Sequence, residues 1–305
     1  MAKSIGIDVG GTNLRIGVFE HHCLLQETRF QTNFSQLCQQ NPAPIAWQKI
    51  LQTTAEAVQD VLMLHPEVEH VGIGFPGFID PETSTIVQSP NLPGLQNVNL
   101  AKDLAEILQK QVVVENDALA AAYGEYCLAG KPAQGLIYLG LGTGLGGGLI
   151  YANQPFSGSH GVAMEVGHII VVPDGRLCGC GNRGCVEQYA SASGISLTYF
   201  ESTQQKLSAY EVAKLAENAD RHAIKAYQVA AEYLAQMLAS VMKILDVPNV
   251  VIGGGVCEGW HLMQTSFNLK FEQDLIPVLR NHIKVSISGA GDIAGMLGVA
   301  MMMER

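Results

Sequence analysis

Short apolar runs punctuated by glycine turns set the rhythm of the first thirty residues. "KSIGIDVG" ends in glycine, "LRIGVFE" follows it, and "CLLQETRFQ" is a third run. Each is rich in Ile, Val or Leu and bounded by turn residues, which predicts strands joined by tight turns. The period then changes. Ile45, Ile50, Leu51, Ala55, Val58 and Leu62 recur at helical spacing, predicting a helix over 45–64. "HVGIGF" (70–75) is again strand-like, and Pro76-Gly77 stops it. Asn91-Leu92-Pro93-Gly94 is a loop. A helix over 98–110, a strand over "QVVVEND" (111–117) and a helix over "ALAAAYGEYCLAG", closed by Gly130, complete the first half.

The second half repeats the logic. "GLIYLGLGTGLGGGLIY" reads as strand, glycine loop, strand. A cysteine-rich segment and several helices follow, the longest over 220–245. "VVIGGGV" is a strand ending in three glycines; a helix over 266–279, the strand "IKVSIS" and a last helix over 290–304 close the chain. Asp292 is expected as a cap near the start of that helix, whose small residues predict close packing. Strands and helices alternating in two halves, each opening with a glycine-interrupted hairpin, predict an α/β fold of two similar lobes. The boundary is expected at Asp117–Ala118. That gives a small N-terminal lobe (1–117), a large lobe (118–289) and a C-terminal helix (290–305) that returns to the first lobe.

Composition narrows the function classes. A chain of 305 residues that is 48 % hydrophobic and 15 % charged can bury a core without metal or disulfides. A net charge of −10 argues against nucleic-acid backbone binding. It leaves room for anionic ligands held by backbone N–H groups. The N-terminus lacks the apolar core of a signal peptide, and no stretch reaches the ~18 apolar residues of a membrane span. A cytoplasmic, reducing setting is expected, in which thiols and metal thiolates prevail over disulfides.

Five stretches carry candidate chemistry. In "DVGGTN", a strand ends at Asp8, and Gly10, Gly11 and Thr12 turn tightly before Asn13. Glycines let backbone amides approach a phosphate, and a nearby carboxylate suits hydrated Mg²⁺. An ordinary hairpin turn fits these residues equally well. "GLGTGLGGG" repeats the device at Gly142, Thr143 and Gly144, and two such turns predict a grip on a polyphosphate. In "VVIGGGV", Gly254 and Gly255 can lie flat against a base or ribose, or simply turn the chain from strand to helix. In "VENDALAAAYGE", Asn116 and Asp117 stand where a strand gives way to a helix. Asp117 suits the base of a phosphoryl transfer and Asn116 a sugar hydroxyl; a plain helix N-cap is the competing role.

The fifth stretch is H-x9-C-x-C-x4-C, formed by His168, Cys178, Cys180 and Cys185. Four such ligands suit tetrahedral Zn²⁺, and a full Cys₃His shell leaves no open position, so the ion would be structural. A disulfide is the alternative, but it strands one cysteine. Glu165 and Glu187 flank the ligands, either as solvated carboxylates or as groups that the metal loop holds in one pocket. Cys23, Cys38, Cys127 and Cys257 show no ligand spacing. His21-His22 falls in a turn and is expected to be solvated.

"DVGGTN", "GFPGFID", "SPNLPGL", "ENDALAAAYGE", "GLGTGLGGGLI", "HGVAMEVGHI", "CGCGNRGCVEQYAS" and "VVIGGGV", in this order, resemble the ROK family of sugar kinases and repressors. The likeness spans essentially the whole chain, and the "EVGH" and "CGCGNRGCVE" pair is the most specific part. It implies an actin-like ATPase (ribonuclease H-like) fold with two lobes and a sugar in the cleft between them. It also implies ATP as phosphoryl donor, Mg²⁺, and a structural Zn²⁺. By the same resemblance Asp117 is the catalytic base. Asn116, Glu165, His168 and Glu187 bind sugar hydroxyls, with Gly77 of "GFPG" and Asn91 of "SPNLPG" near the sugar. His168, Cys178, Cys180 and Cys185 are the zinc ligands.

Many members carry Lys where this chain has Asn13, so a cationic phosphate contact there is not implied. The implied activity is ATP-dependent phosphorylation of a hexose, D-glucose first. N-acetylglucosamine, N-acetylmannosamine, fructose, mannose or allose are the alternatives. A repressor would carry an N-terminal helix-turn-helix, whereas the first strand here begins near Lys3. The expected partners are a sugar and ATP, with neither nucleic acid nor membrane, in a homo-oligomer, a dimer first.

Overall fold

A computed structural model describes residues 3–291 and 293–304, so Asp292, the expected cap of the last helix, lies outside the described residues. The chain divides into two compact units. The first comprises Met1–Ala133, Gly148–Ala163 and Ala290–Arg305; the second comprises Gln134–Gly147 and Met164–Gly289.

The first unit opens with three strands, β1 (Lys3–Val9), β2 (Asn13–Glu20) and β3 (Cys23–Gln31). Helices α1 (Phe34–Gln40) and α2 (Ala43–Leu64) lead to β4 (Val68–Phe75). Three very short strands follow: β5 (Phe78–Ile79), β6 (Ile86–Gln88) and β7 (Gln96–Val98). Then come α3 (Leu100–Leu108), β8 (Gln111–Asn116) and α4 (Asp117–Leu128). The main sheet runs β3-β2-β1-β4-β8. Its β1–β2 and β2–β3 pairs are antiparallel, and its β1–β4 and β4–β8 pairs are parallel. The parallel centre is buried on both faces, which is why β1 and β4 read as continuous apolar runs rather than alternating ones. Ile5, Ile7, Val71 and Ile73 have 0 % exposure there. The small sheet β5-β6-β7 is antiparallel and escapes the sequence pattern, because strands this short carry no alternation to detect.

Beyond α4 come β9 (Leu136–Leu141), β10 (Leu145–Tyr151) and β11 (Gln154–Pro155). The cysteine-rich segment leads to α5 (Glu187–Ala190), α6 (Ala192–Thr203), α7 (Ala209–Glu217) and α8 (Arg221–Leu245). Then β12 (Asn249–Gly253), α9 (Trp260–Asp274), β13 (Lys284–Ile287) and α10 (Ile293–Met301) finish the chain. The second sheet runs β11-β10-β9-β12-β13. Counted within each sheet, both have the order 3-2-1-4-5, so the fold is duplicated. The division between units falls inside β10, between Gly147 and Gly148.

Within the first unit α10 packs on α4, β1 and β4. The approach is so close that a Cβ on Gly298 would strike the Ala120 carbonyl, and one on Gly124 the Ala294 carbonyl. This tight docking is why α4 belongs with the first unit, which therefore extends past the expected boundary at Asp117–Ala118 to Ala133. In the second unit the Asp220 carboxylate caps α8 by accepting from the His222 and Ala223 N–H groups. The buried face of α8 carries Ala223, Ala226, Tyr227, Ala230, Ala231 and Leu234 at helical spacing. Helix α9 lies earlier than the predicted 266–279. It starts after Gly259, and Leu275 leaves it in an extended conformation ahead of a 3-10 turn at Pro277–Leu279. Its buried residues, Met263, Phe267 and Phe271, are scattered among polar ones, which blurs its start in the pattern. Among the described residues no helix is long and apolar enough to cross a membrane.

Candidate functional site

In the first unit β1 brings Asp8 to its end, in register with Arg15 on β2 and Gly74 on β4. The chain then reverses through Gly10–Thr12. The Gly10 N–H donates to the Asn13 carbonyl (2.8 Å), and the Asn13 side-chain amide donates to Thr12 Oγ1 (3.1 Å). Asn13 thus works within the turn. Ser35, in α1, holds the turn from behind. Its N–H donates to the Gly11 carbonyl (3.0 Å), and its hydroxyl donates to the Asn91 carbonyl (2.9 Å). The structure therefore ties the "GGT" turn to the exposed Asn91 loop through a residue that the linear pattern does not single out.

Asn116 ends β8 and caps α4. Its Oδ1 accepts from the Ala118 N–H (3.0 Å) and the Leu119 N–H (3.1 Å). Its Nδ2 donates to the Gly77 carbonyl (3.1 Å), fixing the turn after β4 against the start of α4. Gly77 has φ +153, and a Cβ there would lie 2.6 Å from the Gln88 carbonyl, so only glycine fits. Asp117 follows as the first helical residue, and its Oδ1 accepts from the Ala118 N–H at 2.8 Å. Asn116 is thus the cap, and Asp117 stands beside it as the first residue of the helix. The structure brings Gly77, Asn116 and Asp117 together.

In the second unit the turn Gly142–Gly144 joins β9 to β10, and the Gly142 N–H donates to the Gly144 carbonyl (3.0 Å). Gly140 of β9 pairs in register with Gly253 of β12. One residue on, Gly254 has φ +90, and a Cβ there would strike the Leu141 carbonyl. The Gly142–Gly144 turn and the Gly254-Gly255 segment therefore sit at one end of the same sheet, with Gly254 close against the Leu141 backbone.

The cysteine segment forms a compact cluster. The ligand atoms of His168, Cys178, Cys180 and Cys185 all lie within 4.8 Å of one another. Cys180 Sγ is 3.6 Å from Cys185 Sγ, and Cys178 Sγ is 3.5 Å from His168 Nδ1. Tetrahedral zinc bonds of about 2.3 Å to sulfur and about 2.0 Å to nitrogen put such edges at about 3.8 and about 3.5 Å. The donor set and its spacing therefore fit zinc, while the cysteines are free of disulfides. His168 turns its other nitrogen, Nε2, toward Glu165 Oε2 at 3.7 Å. Partial burial pushes the Glu165 pKa up; the His168 ring opposes this, and the Glu187 carboxylate adds to it. The His168 ring and the Glu187 carboxylate thus both lie close enough to Glu165 to act on its charge.

Arg176 knits this loop to the helices behind it. Its guanidinium pairs with the Glu201 carboxylate at 2.6 and 3.1 Å and donates to the Gln188 carbonyl. It also lies 4.5 Å over the Tyr189 ring. Glu187 begins α5, and its Oε2 accepts from the Leu145 N–H at 2.9 Å, just beyond the Gly142–Gly144 turn. Sequence spacing gives no sign of Arg176, Ser35 or the Glu187–Leu145 bond. Each joins segments far apart in the chain through a backbone group or a common surface residue type.

A sheet of order 3-2-1-4-5, occurring twice, with a glycine turn after the first strand of each copy, defines an actin-like ATPase fold of the ribonuclease H-like kind. Within that class the chain belongs to the ROK family, whose model matches residues 4–305. A glucokinase of Streptomyces coelicolor is 32 % identical over 319 residues, covering 98 % of this chain and 97 % of its own length. An N-acetyl-D-glucosamine kinase of Salmonella arizonae is 30 % identical, covering 97 % of this chain and 98 % of its own. A solved ROK family glucokinase from Streptomyces griseus, in complex with glucose and AMPPNP, superposes with a TM-score of 0.82 at 32 % identity over 99 % of both chains.

Proposed function

We propose that this chain transfers the γ-phosphoryl group of ATP to the primary hydroxyl of a hexose, with D-glucose as the first substrate. The observation that carries this reading is the chain-long match, at 32 % identity, to the glucokinase solved with glucose and AMPPNP. Asp117 acts as the base. Its carboxylate takes the hydroxyl proton as that oxygen bonds to the γ-phosphorus and the bond to the β-γ bridging oxygen breaks, releasing ADP. Asn116 keeps one Nδ2 proton beyond its bond to Gly77, enough to donate to a sugar hydroxyl. Glu165, His168 and Glu187 read the ring hydroxyls, with Gly77 and Asn91 lining the sugar's surroundings. Sites that hydrogen-bond hydroxyls discriminate strongly against analogues lacking them.

The amides of Gly10, Gly11, Thr12 and Asn13, and of Gly142, Thr143 and Gly144, cradle the phosphates. Gly254 and Gly255 lie against the nucleoside. Asp8 would hold Mg²⁺ through water, and the ion would supply positive charge against the phosphates. His168, Cys178, Cys180 and Cys185 would hold a structural Zn²⁺ that stiffens the wall carrying Glu165 and Glu187.

A coupled ADP-release assay with ATP across a hexose panel tests the reading. ADP release that depends on a hexose, glucose foremost, is the expected result. ADP release independent of every sugar would overturn it. N-acetylglucosamine is the second acceptor to try, because a kinase for that sugar is 30 % identical to this chain.

A further inference from the structure

The segment after the cysteine loop is laced to the turn Gly142–Gly144. The Ala192 N–H donates to the Gly142 carbonyl (2.9 Å), and the Ser193 hydroxyl donates to the Thr143 carbonyl (2.9 Å). Glu187 Oε2 accepts from the Leu145 N–H (2.9 Å), and a Cβ on Gly144 would strike that same oxygen. Three residues of one short segment, Glu187, Ala192 and Ser193, thus grip three successive parts of the turn.

Peptide planarity gives these ties a direction. In a trans peptide the N–H points opposite the C=O of the same unit. Pulling the Gly142 carbonyl toward Ala192 aims the Thr143 N–H the other way. Pulling the Thr143 carbonyl toward Ser193 does the same to the Gly144 N–H. Two successive amides presented on one side form the kind of concavity that binds an anion. The hydroxyl of Ser193 holds the peptide that carries the second of them, from the side of its carbonyl.

We propose that Ser193 is a positioning residue for ATP: its hydroxyl holds the Thr143–Gly144 peptide so that the turn presents its amides to the nucleotide's phosphates. This deepens the kinase reading and rests on it. Ser193 stands six residues after Glu187 in the same laced segment, so the phosphate turn and a proposed sugar-reading carboxylate share one support.

The test is calorimetric titration of the full-length protein with AMPPNP and, separately, with glucose, in wild type, Ser193→Ala and Ser193→Thr. Ser193→Ala should weaken AMPPNP binding roughly three- to tenfold, the size of one neutral hydrogen bond. It should leave glucose affinity and melting temperature unchanged, and Ser193→Thr, which keeps the hydroxyl, should restore AMPPNP binding. In turnover the change should fall on the KM for ATP and not on that for sugar. Unchanged AMPPNP affinity in Ser193→Ala would overturn the assignment while leaving the kinase reading intact. An equal loss of glucose affinity, or failure of Ser193→Thr to rescue, would likewise overturn it. A wild-type chain that binds no AMPPNP would overturn both.

Discussion

The Leu145 N–H donates to Glu187 Oε2 at 2.9 Å, tying the first residue of β10 to the residue that opens α5 just after the cysteine loop. One oxygen of this carboxylate is thereby held at the Gly142–Gly144 turn, and under the proposed function the other reads a sugar hydroxyl. A Cβ on Gly144 would meet the same Oε2, so a side chain there would push the Glu187 carboxylate aside.

Replacing Glu187 should separate these two duties. Glu187→Gln keeps a carbonyl oxygen for Leu145 but loses the charge offered to a sugar hydroxyl. Glu187→Ala loses both and leaves the Leu145 N–H without its acceptor, which costs about 1–3 kcal/mol where water cannot replace it. Both variants should bind glucose weakly, and only Glu187→Ala should also lose AMPPNP affinity. Equal AMPPNP affinities in the two would remove Glu187 from the phosphate turn.

Asp117→Asn keeps shape and hydrogen bonding at the start of α4 but cannot take a proton. Its kcat should fall by roughly 10²–10⁴, the usual worth of a positioned base. Glucose affinity should hold, since the variant preserves the surroundings of Asn116. Wild-type turnover in Asp117→Asn would show that another group serves as base.

Elemental analysis of the purified chain should find about one zinc per molecule, as a closed Cys₃His shell requires. Cys185, with 0 % exposure, is the ligand to remove first. Cys185→Ser should lower zinc content and melting temperature together, whereas Cys23→Ser, at an exposed thiol outside the cluster, should change neither. Active protein free of zinc would exclude the site.

Two glycines in α10 should respond in opposite senses to alanine. At Gly298 a Cβ would collide with the Ala120 carbonyl, whereas at Gly295 nothing lies within 4 Å. Gly298→Ala should lose about 1–3 kcal/mol by forcing α10 off α4. Gly295→Ala should gain roughly 0.5–1 kcal/mol through helix propensity alone. Urea midpoints at constant m value decide the matter; a neutral Gly298→Ala would mean that the two helices can part without loss.

Much of the site is legible in the linear chain, for identifiable reasons. The "DVGGTN" and "GLGTGLGGG" turns show because glycine clusters after apolar runs are locally constrained, and the cysteine spacing shows because the side chains of this cluster come from one short segment. The long α8 shows by periodicity over 25 residues. The strands β5, β6 and β7 do not, being two or three residues long. The start of α9 is hidden because its buried residues are sparse among polar neighbours. At Asn116 and Asp117 the residue types allow a helix cap at either, and the hydrogen bonds place it on Asn116, which accepts from the Ala118 and Leu119 N–H groups.

Neighbouring residues are enough to dictate the alternation of strands and helices, the two glycine turns, the cysteine cluster and the family to which they belong. Each of these features is local, so it can be read along the chain. The supports that hold the turns in shape are not local: Ser35 stands behind Gly11, Ser193 behind Thr143, and Glu187 against Leu145. Those contacts end on backbone carbonyls and amides, which nearly every residue possesses. No residue type or spacing marks them, and only folding brings the partners within hydrogen-bond reach.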